Sequence, residues 1–239
     1  MIKPVLLAAA TLAFALAPAF SPPFRGFDPA QFPVFIARPA IQPAGYAFAI
    51  WGIIYTWMIL HAGFGLLRRP HDPAWDAVRA PLIGAALMGT LWLNIATRAP
   101  LAATAVILAM AALALTAYLR ANPSKDRWLL AAPLAILAGW LSAAAAVSVG
   151  VILAGYGWLS NAGAALAMLA TVLTLGLSVQ IRRPGMPVYG ATVVWALIGV
   201  AVVNWQDTAQ DTGTVAYAAC ASAAIIAAAT IALRARTPA

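Results

Sequence analysis

Eight long apolar runs constrain this chain more than any other feature: residues 4–20, 44–67, 79–97, 100–120, 128–153, 158–181, 187–205 and 213–234. A helix needs about 20 apolar residues to cross a hydrocarbon core of about 30 Å. The interruptions are chemically sharp: Ser21-Pro22-Pro23, Arg68-Arg69-Pro70-His71-Asp72-Pro73, Arg98-Ala99-Pro100, Asn122-Pro123-Ser124, Gly155-Tyr156-Gly157, Arg182-Arg183-Pro184-Gly185 and residues 207–213. Each combines polar groups with glycine, proline or both, which stop helices. The runs are too long, and alternate too little, to be barrel strands. The expectation is an all-α polytopic transmembrane bundle of about eight helices, with residues 1–239 forming one membrane domain. Composition agrees. The chain is 64% hydrophobic and 8% charged with mean hydropathy +0.90, whereas a soluble domain carries about 25% charged residues.

The charges set the topology. With the N-terminus inside, the inner loops receive Lys3, Arg68, Arg69, Arg79, Arg120, Lys125, Arg127, Arg182, Arg183, Arg234 and Arg236. The outer ones receive only Arg25, Arg38 and Arg98. That is the positive-inside bias, so both termini are expected to be cytoplasmic in a multi-pass protein of a bacterial inner membrane. The net charge of +8 is thereby accounted for by the bilayer and gives no reason to invoke nucleic acid. Lys3 with Val5–Phe20 also resembles a signal peptide, and Ala15-Leu16-Ala17 mimics a cleavage site. Pro18 directly after it disfavours cutting, so the stretch is read as a retained first helix. Its removal would leave seven spans.

Catalysis and ion coupling inside a membrane call for ionisable groups at depth. Away from the segment ends the spans contain one, His61. There is no His-x-x-x-His pair, no Cys-x-x-Cys, no acidic pair within a span, no phosphate loop and no Gly-x-Ser-x-Gly elbow. The expectation is a protein that binds rather than one that catalyses. His61 is either a hydrogen-bonded interfacial histidine or an axial ligand to a haem or chlorophyll metal. No other metal site is evident. Cys220, the single cysteine, is expected as a small core residue. Asp207 and Asp211 are expected as solvated loop acids. Trp128, Trp158 and Trp205 suit an interfacial aromatic belt.

The segment 39–58 reads Pro-Ala-Ile-Gln-Pro-Ala-Gly-Tyr-Ala-Phe-Ala-Ile-Trp-Gly-Ile-Ile-Tyr-Thr-Trp-Met. Trp51, Tyr55 and Met58 follow i, i+4, i+7 spacing and share one helix face. Such a stripe at the mouth of a span is either an interface belt or the wall of a ligand cleft. This proline loop and stripe resemble the TspO/MBR family, the tryptophan-rich sensory proteins. Arg38-Pro39 stands for the family's Lys-Pro, residues 43–48 for its Pro-Pro-x-Trp-x-Phe, and Trp51, Tyr55 and Met58 for its Trp-x-x-x-Tyr-x-x-Met. In the fifth span Trp140 and Ala144 fit the family's tryptophan and small residue, and Asn94 resembles its third-helix asparagine. Ile41 and Tyr46 replace the loop tryptophans, and Ser148 replaces a fifth-helix asparagine. The resemblance covers residues 36–153 as core helices, which leaves 158–234 as a three-helix extension.

The resemblance implies a cleft for a tetrapyrrole or a sterol- or isoprenoid-like molecule. Tyr46, Phe48, Trp51 and Tyr55 would stack on it, with Trp140 as the opposite wall and Ala144 leaving room. Asn94 would bond a polar edge, and Arg38 a propionate. The alternative is a non-catalytic accessory subunit of a larger membrane assembly, such as a pigment–protein complex. In that reading the aromatics would meet neighbouring subunits, lipids or a carotenoid. Expected partners are therefore the bilayer, a hydrophobic small molecule, and a second copy or complex subunits.

Overall fold

The computed structural model describes residues 2–206 and 212–236. Among them the only regular structure is helical. α1 (Ile2–Leu16) runs into a 3-10 turn at Ala17–Phe20; two more turns follow, Pro29–Gln31 and Gly45–Ala49, the last leading into α2 (Ile50–Leu67). Then come α3 (Pro73–Ala96), α4 (Pro100–Arg120), α5 (Ala131–Gly155), α6 (Asn161–Arg182), α7 (Val188–Gln206) and α8 (Gly213–Ala235). Among the described residues, eight helices are long and apolar enough to cross a membrane. Asp207 and Asp211 lie outside the described residues.

The ends are set by caps as much as by hydropathy. α3 starts six residues before the apolar run at 79 because Asp72 caps it. The Asp72 carboxylate accepts from the Ala74 amide at 2.9 Å, and Pro73 occupies the first helical position. Ser160 does the same for α6, accepting from the Gly163 amide at 3.0 Å. Cys220 is only half-buried on α8 rather than enclosed in a core.

The chain divides into two compact units. One comprises Met1–Phe24 and Ile50–Leu141, the other Arg25–Ala49 and Ser142–Ala239. In the first, α1 packs on α2 and α3, and α3 on α4. In the second, α6, α7 and α8 pack together, and the turn at Gly45–Ala49 rests on α7. Segment 36–153 thus contributes to both units.

One end of the first unit holds a polar cluster. Arg79 is 1% exposed, a costly place for a cation. It is tolerated because its guanidinium closes the C-terminus of α2. It donates to the carbonyls of Gly65 (3.2 Å), Arg69 (2.7 Å) and Pro70 (3.0 Å), and lies 3.4 Å from an Asp76 oxygen. Lys3 pairs with Asp76 at 2.7 Å and Lys125 with Asp72 at 2.5 Å. Asp126 is held in the left-handed region at φ 44°. Its carboxylate accepts from Arg69 Nε and Nη2, at 2.8 and 3.1 Å, and from Trp75 Nε1 at 2.9 Å. Lys3, Arg69, Arg79 and Lys125 therefore share one end, as the alternating topology requires.

Replacing Arg79 with Met should destabilise the protein by about 2–3 kcal/mol, because buried helix-end carbonyls lose charged donors. Thermal unfolding in mild detergent measures it. The Arg69 hydrogen bonds hold the Asp126 carboxyl below the usual carboxylate range, and Lys125 does the same for Asp72. These folded-state values lie below the unfolded ones, so the stabilisation is complete above about pH 4 and is lost as pH falls through the folded values. Asp126→Asn, which tolerates the same backbone conformation, should lower the melting temperature at pH 7 and reduce its drop between about pH 5 and pH 2.

Candidate functional site

α2 presents the aromatic stripe as its spacing predicts. Trp51 and Tyr55 stack with ring centres 5.1 Å apart and planes 19° apart. Trp140, from the first half of α5, meets Trp51 edge-on at 6.2 Å and 82°. Trp140 is 2% exposed, while Trp51 and Tyr55 are half-buried. Met58 is buried one turn further along. The first unit therefore brings Trp51, Tyr55 and Trp140 into one cluster. Asn94, on α3, stands with Ser21, donating to its hydroxyl at 3.3 Å. Trp92, two residues earlier, meets Phe24 edge-on at 5.0 Å.

His61 is fully buried. Its ring stacks on Trp75 at 4.8 Å and 20°. Nδ1 stands 2.7 Å from the Leu129 carbonyl, which only accepts, so Nδ1 carries the proton and donates. Nε2, the nitrogen left for any further contact, is buried without a hydrogen-bond partner. Among the described residues no group of three or more His, Cys, Asp or Glu stands where it would hold a metal ion.

Arg38, Tyr46, Phe48 and Ala144 belong to the second unit, where the proline loop is stitched to α6 and α7. Arg38 Nη1 donates to the Val203 carbonyl at 2.8 Å. Asn161 binds the loop on both sides, donating to the Arg38 carbonyl at 3.2 Å and accepting from the Ala40 amide at 2.8 Å. Asn204 Nδ2 donates to the Ala40 carbonyl at 2.7 Å, and the Ala44 amide donates to the Gly199 carbonyl at 3.0 Å. Trp195 Nε1 donates to the Ala47 carbonyl at 2.9 Å, while its ring meets Tyr46 edge-on at 5.6 Å. Gly199 permits the approach, since a Cβ there would stand 2.9 Å from Pro43 Cβ and 3.0 Å from Ala47 Cβ. Phe48 and Ala144 are half-buried. Trp128, Trp158 and Trp205 are each more than half exposed, as belt positions are.

Several of these contributors lie outside the motif. Asn161, Trp195 and Gly199 carry no sign in sequence that they hold a loop more than 100 residues away. For Asp72, Asp76 and Asp126 a signal did exist: they are acids placed among the basic residues of the inner loops.

Fold and composition define a polytopic integral membrane protein of the helical-bundle class. The chain belongs to the TSPO-like protein family, whose model matches residues 36–232. The matched span begins just before the proline loop and takes in α6, α7 and most of α8. No curated protein and no solved structure matches the chain.

If Asn204 and Asn161 hold the loop, Asn204→Leu strands the buried Ala40 carbonyl at a cost of about 1–3 kcal/mol. Amide exchange across residues 36–49 should then quicken by about tenfold or more. Unchanged protection would show that the loop is held by other means.

Proposed function

We propose that this protein binds a flat, mostly apolar ligand of the tetrapyrrole or sterol- and isoprenoid-like kind on the Trp51–Tyr55–Trp140 cluster. It acts as a sensor or carrier and not as an enzyme. The observation that carries the reading is the near-parallel Trp51–Tyr55 pair, 19° apart, with Trp140 edge-on to it. Two half-buried rings in nearly one orientation offer a face on which a planar ligand gains dispersion and quadrupole contacts. The cluster supplies ring surface and one phenol, with no carboxylate or thiol. That set suits binding better than bond-making. Asn94, whose amide donates to the Ser21 hydroxyl over a long 3.3 Å, is the group we assign to a polar edge of the ligand. We assign the basic face to the cytoplasm and the protein to a bacterial inner membrane, a reading the positive-inside bias supports.

Replacing Trp51 and Trp140 together by Leu removes two ring contacts worth about 0.5–1.5 kcal/mol each beyond area burial. Protoporphyrin IX, titrated by fluorescence quenching, should bind the double variant about tenfold more weakly or worse. Equal affinity in a folded double variant removes the assignment.

A further inference from the structure

The aromatic cluster has an occupant supplied by the chain itself. Phe14, on α1, is 5% exposed. Its ring stands edge-on to Trp51, at 5.7 Å and 88°, and to Tyr55, at 5.2 Å and 87°. An edge directed at a ring face is a favoured arrangement, so Phe14 fills a place a flat ligand would compete for. α3 makes room for it. Gly89 faces the Phe14 ring so closely that any side chain there would overlap it.

A second observation lies one turn earlier on the same face of α1. Thr11 is 1% exposed, and its hydroxyl has no hydrogen-bond partner. Threonines in apolar helices usually bond back to the carbonyl four residues before. Thr56, Thr90, Thr104 and Thr192 all do so here, at 2.7–2.9 Å. Thr11 does not, and leaving a buried hydroxyl unpaired is unfavourable. α1 also lies outside the span matched by the family, 36–232.

We propose that Phe14 occupies the aromatic site in competition with a ligand and so limits its affinity, and that the Thr11 hydroxyl is the hydrogen-bonding group α1 offers to that ligand. The proposal rests on the reading of Trp51, Tyr55 and Trp140 as a ligand site. The ligand class it points to is a planar aromatic or polyene body with one polar edge. In the free protein the Phe14 ring stands in for that body. Without the ring, the space left is lined by Trp51 and Tyr55, and apolar voids of this kind take up aromatic guests.

The test uses the full chain in mild detergent, with naphthalene, 1-naphthol and protoporphyrin IX as probes. Native size and near-ultraviolet circular dichroism establish that each variant is folded. Phe14→Ala should bind all three probes about tenfold more tightly than the unaltered protein, and the milder Phe14→Leu about threefold. Adding Trp51→Leu should abolish the gain. Thr11→Val should weaken 1-naphthol and leave naphthalene unchanged. If the unaltered protein binds protoporphyrin through Trp51 and neither Phe14 variant changes any affinity, the role of Phe14 is overturned while the site assignment stands. If Thr11→Val weakens both naphthalene probes equally, or neither, the role of Thr11 is overturned. If no folded variant binds any probe, the site assignment fails and the proposal fails with it.

Discussion

A peptide group removed from water must find a partner, and the proline loop at 36–49 supplies only some of its own, through the Gln42 and Ala47 amides. Pro39 and Pro43 lack amide protons and block a continuous helix. Ala40, Ile41 and Ala47 are nonetheless buried. Further partners come from helices far along the chain. Asn161 and Asn204 clasp Ala40, Trp195 reaches Ala47, and the Gly199 carbonyl takes the Ala44 amide. Two asparagines, an indole and a glycine thus do for this loop what a helix does for itself. The match of the family across 36–232 has a physical counterpart in this arrangement, because the loop's partners lie on α6 and α7.

The first unit meets the same requirement with charge. Helix α2 ends in carbonyls that need donors, and Arg79 provides them from within α3. Asp126 then gathers Arg69 and the Trp75 indole, and Trp75 in turn covers His61. The cluster ties the α2–α3 connection to the α4–α5 connection at the end opposite the start of α2. This leaves Trp51 and Tyr55 on a helix fixed at its far end, a suitable support for ring faces that must keep one orientation.

What the residues revealed in advance follows from how local each signal is. The eight spans were legible because length and hydropathy are read along a single helix. The start of α3 was not, since Asp72 and Pro73 begin a helix that Asp76 and Arg79 make look polar. The shared face of Trp51, Tyr55 and Met58 followed from helical spacing alone. Trp140 carries no such local signal; only the resemblance points to it, and the structure sets it edge-on to Trp51. Phe14 has no signal in sequence, because its place against Trp51 and Tyr55 depends on how α1 packs, which no spacing within α1 encodes. The Arg38 Nη1 bond to the Val203 carbonyl has no local signal, because donor and acceptor are 165 residues apart.

A cluster that serves a flat ligand should carry one, or take one up, in the isolated protein. The most direct measurement is the absorption spectrum, from near-ultraviolet to near-infrared, of the protein purified from its own membrane in mild detergent, recorded with its native mass. A Soret or polyene band should travel with a small particle, or develop when porphyrin is added. A colourless particle that takes up no added porphyrin would contradict that role for the cluster.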